Sequence, residues 1–421
     1  MNKTLLLTGI RELLTLCGLV PRRARALGEP TIIRDAAVLV SDGLIAAVGR
    51  RRDVARLSEA RRAKALDLGG KVALPGFVDS HTHLVFPASR AEEYEKRVAG
   101  ATYEEIARSG GGILSTVRKL RSSPAKELKK GALASLQQMA AHGTTTLEAK
   151  SGYGLNFASE VKTLMVLREL RMEQPLEIVP TFLGAHVVPP EYRRRPDAYV
   201  KLLIQQMIPI VARQGLAEFC DVYCDRGAFT VEQTRMILTA GRVCGLEPRI
   251  HAEQIARTGG ARLAVDLNAA SADHLEKATA ADIRTLANSN VVATLLPGCC
   301  FHLGLKEYPP ARKLIESGAI VALATDYNPG TSPTLSMQMI LSLACARMRM
   351  TPAEAIAAAT INPAYSLRRH GRIGSLEVGK QADLAVFDVA DYREIPYYFG
   401  VNQCRMTVKR GQVVYDSDSW L

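Results

Sequence analysis

The sequence predicts an α/β protein: a (β/α)8 TIM barrel carrying a small β-sandwich-like domain built from both chain ends. Three observations lead there. Eight short apolar runs alternate with longer helical stretches from residue 73 to residue 326, the first 70 residues read as short β segments, and the chain returns to β character near its C-terminus. Eight strand-plus-helix units are the count of a barrel rather than of a six-strand dinucleotide-binding sheet.

The elements follow in chain order. AAVLVSDGLIAAVG (36–49) is two apolar runs around Asp42 and Gly43, the signature of a hairpin. The strand-type runs are ALPGFVDSH (73–81), GTTTLEAK (143–150), EIVPTFLG (177–184), AEFCDVY (217–223), EPRIH (247–251), SADHL (271–275), NVVATLLP (290–297) and AIVALATD (319–326). Between them, stretches such as SPAKELKKGALASLQQMAAHG and TVEQTRMILTAGRVCG have the apolar spacing of amphipathic helices. GKQADLAVFDV and VKRGQVVYD then complete the small domain. The expected division is 1–74 with 372–421 for the β domain and 75–371 for the barrel.

Composition excludes several function classes. With 421 residues, 47% hydrophobic and 23% charged, the chain is globular rather than disordered. Its net charge of +12 is spread out: residues 1–75 carry 14 basic and 7 acidic groups, and the last 51 carry 6 and 7. The arginines at 21–25, 50–52 and 61–62 lack interleaved aromatics, so they read as a solvated face and no nucleic-acid partner is expected. No apolar run reaches the ~18 residues of a membrane span. The leader MNKTLLLTGIRELL, broken by Arg11 and Glu12, makes a poor secretion signal, and the expected location is the cytoplasm. Eight scattered cysteines without a CxxC pair read as free thiols.

The chemistry concentrates at strand ends. His81 and His83 stand at i and i+2, so both point to one side, and at the end of a first barrel strand that side is the mouth. His251 closes the fifth run and Asp326 the eighth. Three imidazoles and a carboxylate suit zinc or iron and leave a divalent cation an open position for water, whose pKa it lowers to ~7. Asp326 could then take the water's proton and pass it to a leaving nitrogen; it also reads as the N-cap of a following helix. Asn328, Gly330 and Thr331, in the loop after run eight, offer donors for a ligand, although Gly330 serves equally as a turn residue.

HxH after the first strand, His251 on the fifth, His274 on the sixth and Asp326 on the eighth resemble the amidohydrolase superfamily, as does the tail GSLEVGKQADLAVFD. PGFVDSHTHLVF, GGGI (110–113), KSGYGL (150–155), FLGAH (182–186) and ATDYNPGTSP (324–333) narrow the resemblance to its imidazolone-ring hydrolases of histidine degradation. The activity implied is hydrolysis of the ring amide of 4-imidazolone-5-propanoate to N-formimidoyl-L-glutamate. The resemblance implies one metal ion per chain, zinc or iron, held by His81, His83, His251 and Asp326, an anionic small-molecule substrate and a homodimer. It places Arg90 on the propionate, where a guanidinium fork matches a carboxylate; without the family, Arg90 is also an ordinary surface arginine. It sets Tyr153 and His186 against the ring, His186 as a donor to the carbonyl oxygen. His274 is expected to hydrogen-bond near the metal's water or to be a satisfied core histidine, and Tyr103 is a further candidate.

One position departs from the pattern. The third residue after His251 is Gln254, where some members carry a glutamate that takes a proton from water, and an amide cannot be that base. Gln254 is expected to orient the ring N–H, leaving the proton to Asp326 with help from His274. Glu253, on an extended backbone, would face away. AEFCDVY holds no lysine, the residue often carboxylated to bridge two metals on that strand, so a single ion is expected, with Glu218 the one residue there that could overturn this.

Overall fold

The computed structural model of the protein describes residues 4–101, 105 and 110–420. Tyr103 lies outside them. The N-terminal segment forms β1 (Thr4–Leu14), β2 (Ile32–Ser41), β3 (Leu44–Arg50) and β4 (Lys64–Pro75). Eight strands then alternate with helices: β5 (Phe77–Asp79), β6 (Thr144–Lys150), β7 (Glu177–Ala185), β8 (Phe219–Cys224), β9 (Glu247–Ala252), β10 (Ser271–His274), β11 (Val292–Leu295) and β12 (Ile320–Leu323). The chain ends in β13 (Leu384–Phe387), β14 (Cys404–Lys409) and β15 (Gln412–Asp416).

β5 to β12 form one parallel eight-stranded sheet in sequence order, and every strand expected from the sequence is present. The run 73–81 is the one that divides. Val72–Pro75 pair with β13 whereas Phe77–Asp79 pair with β6, so the chain crosses there from one sheet to the other. The expected helices run over Ala125–Ala141 and Val231–Val243, the second opened by a capping box of Thr230 and Gln233.

The seam between the first and last strands closes through side chains and a single bridge. Thr82 bridges Tyr327, His83 N donates to Tyr327 O at 2.8 Å and Asp326 N donates to His81 O at 3.0 Å. Beneath, the Asp79 carboxylate accepts from Thr325 N at 3.0 Å and Thr325 Oγ1 at 2.6 Å. Closing the barrel therefore brings His81, His83 and Asp326 together.

The chain ends form one seven-stranded sheet in the order β15-β14-β13-β4-β1-β2-β3, with β1 and β4 parallel. Its strands alternate between two cores. Ala73, Leu384 and Val386 join Leu7, Leu13, Val38 and Val40 in a core of the sheet's own, while Val72, Leu74, Ala385 and Phe387 face the barrel. Phe77 and Phe387, with ring centroids 5.7 Å apart, tie the two units. The β2–β3 turn has Asp42 at φ 51° and Gly43 at φ 81°, as a two-residue hairpin demands. Across from it Gly411 has φ 70°, and a Cβ there would lie 2.7 Å from Val40 Cγ1. All eight cysteines are free. No helix among the described residues is long and apolar enough to cross a membrane.

Candidate active site

The C-terminal ends of the barrel strands surround a cavity of about 410 Å³ lined by His83, Arg90, Tyr153, His186, His251, Gln254, His274, Asp326, Asn328 and Thr331, with Ile113, Tyr223, Glu276 and Cys299 among others. His81 is buried beneath its wall. Potential ligand atoms of His81, His83 and Asp326 lie within 4.8 Å of one another, as do those of His81, His251 and His274. Asp326 Oδ1 is 3.5 Å from both His81 Nε2 and His83 Nε2. The His81 and His251 rings are 4.5 Å apart.

These groups fit a divalent cation on their own chemistry. His81 Nδ1 bonds Asp273 Oδ2 at 2.7 Å, which fixes that ring with Nε2 inward, and His251 Nδ1 lies 3.1 Å from Asp221 Oδ2. Both Nε2 atoms are buried and have no hydrogen-bond partner. An orphaned acceptor in an apolar wall is costly, and a metal-ligating histidine held by a carboxylate is the arrangement that resolves it. Burial pushes His81, His83 and His251 below the usual imidazole range, keeping them neutral and able to ligate. Burial raises Asp326 to about 7. Its backbone has φ 53°, and NPGTSP forms a turn rather than a helix, so Asp326 is no N-cap.

Below this layer lies a network that the sequence did not reveal. Lys150 Nζ sits 2.7 Å from Glu148 Oε1 and 2.8 Å from Asp221 Oδ2, and Arg249 NH2 is 3.5 Å from Asp273 Oδ2, all fully buried. Asp221 and Asp273 are polar positions inside the runs AEFCDVY and SADHL, which was the available signal. Glu218, at the start of the same fourth strand, instead reaches Arg369 at 2.5 Å and takes no part in the cluster.

The remaining candidates take specific places. Arg90 stands at the rim with Nε 3.5 Å from Glu93 Oε2. Its guanidinium occupies the space above Gly330, where a Cβ would lie 1.5 Å from NH2, so the glycine makes room for the arginine. Asn328 folds its own loop: Oδ1 accepts from Gly330 N and Thr331 N at 2.8 and 2.7 Å, and Nδ2 donates to Asp326 O at 2.6 Å. Tyr153 is buried with its ring 5.6 Å from His83 and 5.5 Å from His186. Burial holds its phenol above the usual range, hence protonated. Its loop is pinned by Glu160, whose carboxylate accepts from Gly152, Gly154 and Leu155 N at 2.7–2.9 Å.

Two expectations change. His186 Nδ1 donates to Gly152 O at 3.1 Å, and burial lowers its pKa to about 3, so a neutral ring presents a bare Nε2. The donor expected at His186 is an acceptor. Glu253 is not extended but at φ 57°, and its carboxylate is consumed by Thr258, Gly259 and Ala261 N at 2.7, 3.0 and 3.2 Å, capping the next helix. Gln254 does reach the cavity, with Nε2 3.5 Å from Cys299 Sγ.

The fold is similar to an adenosine deaminase from Xanthomonas campestris with bound zinc (TM-score 0.72, 19% identity, 97% of this chain and 92% of that one). It also resembles E. coli guanine deaminase (TM-score 0.74, 15% identity, 98% and 99%). The sequence pattern of the amidohydrolase family matches residues 72–414. Curated relatives include the imidazolonepropionases of Solibacter usitatus, 49% identical over 97% of this chain and 98% of its own, and Geobacillus kaustophilus, 48% identical over 96% of both. With strand-end histidines, buried carboxylates beneath them and that span of identity, the chain belongs to the amidohydrolase family, in its imidazolonepropionase branch.

Proposed function

We propose that the barrel mouth hydrolyses the ring amide of 4-imidazolone-5-propanoate to N-formimidoyl-L-glutamate, the histidine-degradation reaction of its branch. The observation that carries this reading is Arg90, held over Gly330 on the rim of the cavity that contains the His81–His83–Asp326 cluster. An anion anchored there reaches the cluster with its ring. An uncharged deaminase or cyclic-ureide substrate lacks the carboxylate that such an arginine serves.

His81, His83, His251 and Asp326 would hold one divalent ion, zinc or iron, since imidazole and carboxylate suit both. Bound there, the cation activates water and polarises the ring carbonyl. A single ion is supported by the absence of lysine in β8 and by the locking of Lys150 between Glu148 and Asp221. Arg90 binds the propionate in bidentate fashion. Tyr153, kept protonated by burial, donates to the carbonyl oxygen, a contact that strengthens as negative charge develops there. His186 Nε2 and the Gln254 side chain orient the two ring nitrogens, one of which carries the N–H. Asp326 Oδ accepts a proton from the attacking water and returns it to the ring nitrogen as the C–N bond breaks; the former carbonyl carbon keeps its bond to the carbon bearing the propionate and becomes a carboxylic acid, which ionises by giving its proton to solvent. We place the enzyme in the cytoplasm, as a homodimer, with the units divided at 1–74 with 372–421 and 75–371.

Incubating the metal-loaded protein with imidazolone propionate and following its ultraviolet absorbance tests the reading. Loss of absorbance with formation of formimidoylglutamate is expected. Stable absorbance, with turnover of an uncharged cyclic ureide instead, would contradict it.

A further inference from the structure

Glu276 has no role in the reaction as derived above, yet it lines the cavity with its side chain only 2% exposed. Its Oε1 lies 3.4 Å from His274 Nδ1 and accepts from Cys300 Sγ at 3.4 Å. Its Oε2 is buried without a partner. A carboxylate in such a place is costly to bury unless it holds something. Gln254 cannot exchange a proton and Glu253 is tied to a helix cap, which leaves Glu276 and Asp326 as the carboxylates lining the cavity among the described residues. The backbone is bent to bring this about. His274 and Leu275 have φ 81° and 72°, two consecutive left-handed residues that are not glycine, and the turn is fixed by Leu275 N to Ala252 O at 3.0 Å and Lys277 N to Glu253 O at 2.7 Å. The turn sets Glu276 beside His274, whose ring stands 5.4 Å from His251 and 5.7 Å from His81.

We infer that Glu276 is a positioning residue for His274: its Oε1 accepts the Nδ1–H, fixing the tautomer in which Nε2 is bare and turned toward the histidine–Asp326 cluster. His274 thereby enters the reaction as an acceptor beside Asp326, in a chain whose position 254 carries an amide. This deepens the proposed reaction and rests on it for the kinetic arm alone. The test has two arms. Nitrogen-15 NMR of the metal-free protein at alkaline pH, with the His274 signals identified by their loss in His274→Asn, is expected to show the Nδ1–H tautomer in the unaltered chain and its loss in Glu276→Leu. With metal restored, Glu276→Leu is expected to lower kcat about 10- to 100-fold, the range for lost partners of site histidines, with KM little changed. Glu276→Gln, which keeps an acceptor oxygen, is expected to recover most of it. An Nε2–H tautomer in the unaltered protein, a tautomer unmoved in Glu276→Leu, or equal kcat in Glu276→Leu and the unaltered enzyme would overturn the inference. The first of these readings needs no Glu276 variant to fold and no substrate to be turned over.

Discussion

The floor of the barrel mouth and the layer above it carry similar residues in opposite states. At the floor, Lys150 is paired with Glu148 and Asp221, and Arg249 with Asp273, all within the fully buried interior. One layer higher, the buried Nε2 atoms of His81 and His251 have no hydrogen-bond partner, and Arg90 Nε lies 3.5 Å from Glu93 Oε2. The floor spends its charges on one another, which fixes Asp221 and Asp273 and through them the histidine rings. In the reaction proposed above, the upper layer keeps its valences for metal and substrate. Removing a floor charge should therefore cost stability, and removing an upper group should cost catalysis.

Asp326→Asn is the largest expected break. An amide can ligate weakly but cannot carry a proton, so kcat should fall by ~100- to 10,000-fold at matched metal loading while the three histidines retain metal. Wild-type kcat in that variant would move the base elsewhere. Lys150→Met leaves Glu148 and Asp221 buried without their cation and should destabilise the fold by about 3–5 kcal/mol in urea titration. A loss below about 1 kcal/mol would show that the floor does not depend on the pair.

Much of this contrast was visible in the sequence, and part of it could not be. His81, His251 and Asp326 end apolar runs and His83 follows two residues after His81, so these four residues of the barrel mouth could be picked out by position. Asp221 and Asp273 did not, because a lone carboxylate within a strand reads equally well as a solvent-facing position until the barrel interior is known. Glu253 and His186 were misjudged for a local reason. The left-handed backbone at Glu253 and the bond from His186 Nδ1 to Gly152 O are decided by the turns that follow β9 and β6, which residue types alone do not specify. Likewise Glu160 organises the Tyr153 loop from within a helix, a contact that no spacing rule encodes.

Smaller effects sharpen the contrast further. Arg90→Ala should raise KM about ten- to a hundredfold, since a charge-assisted bidentate contact contributes about 1.5–3 kcal/mol. Arg90→Lys should recover only part, and an unchanged KM with fold and metal intact would put the propionate elsewhere. Gln254→Ala should be mildest, with kcat at least about an order of magnitude above that of Asp326→Asn. If Glu253→Gln matched Asp326→Asn in damage while Asp326→Asn stayed active, the proton path assigned to Asp326 would be wrong.

The central claim is that one divalent ion in the His81–His83–His251–Asp326 layer makes this barrel an imidazolone-ring hydrolase. The direct measurement is turnover of imidazolone propionate as chelator-treated protein is titrated with zinc or iron(II). Activity should rise linearly and level off at one equivalent per chain. A plateau at two equivalents, or full turnover by protein shown to be free of metal, would contradict it.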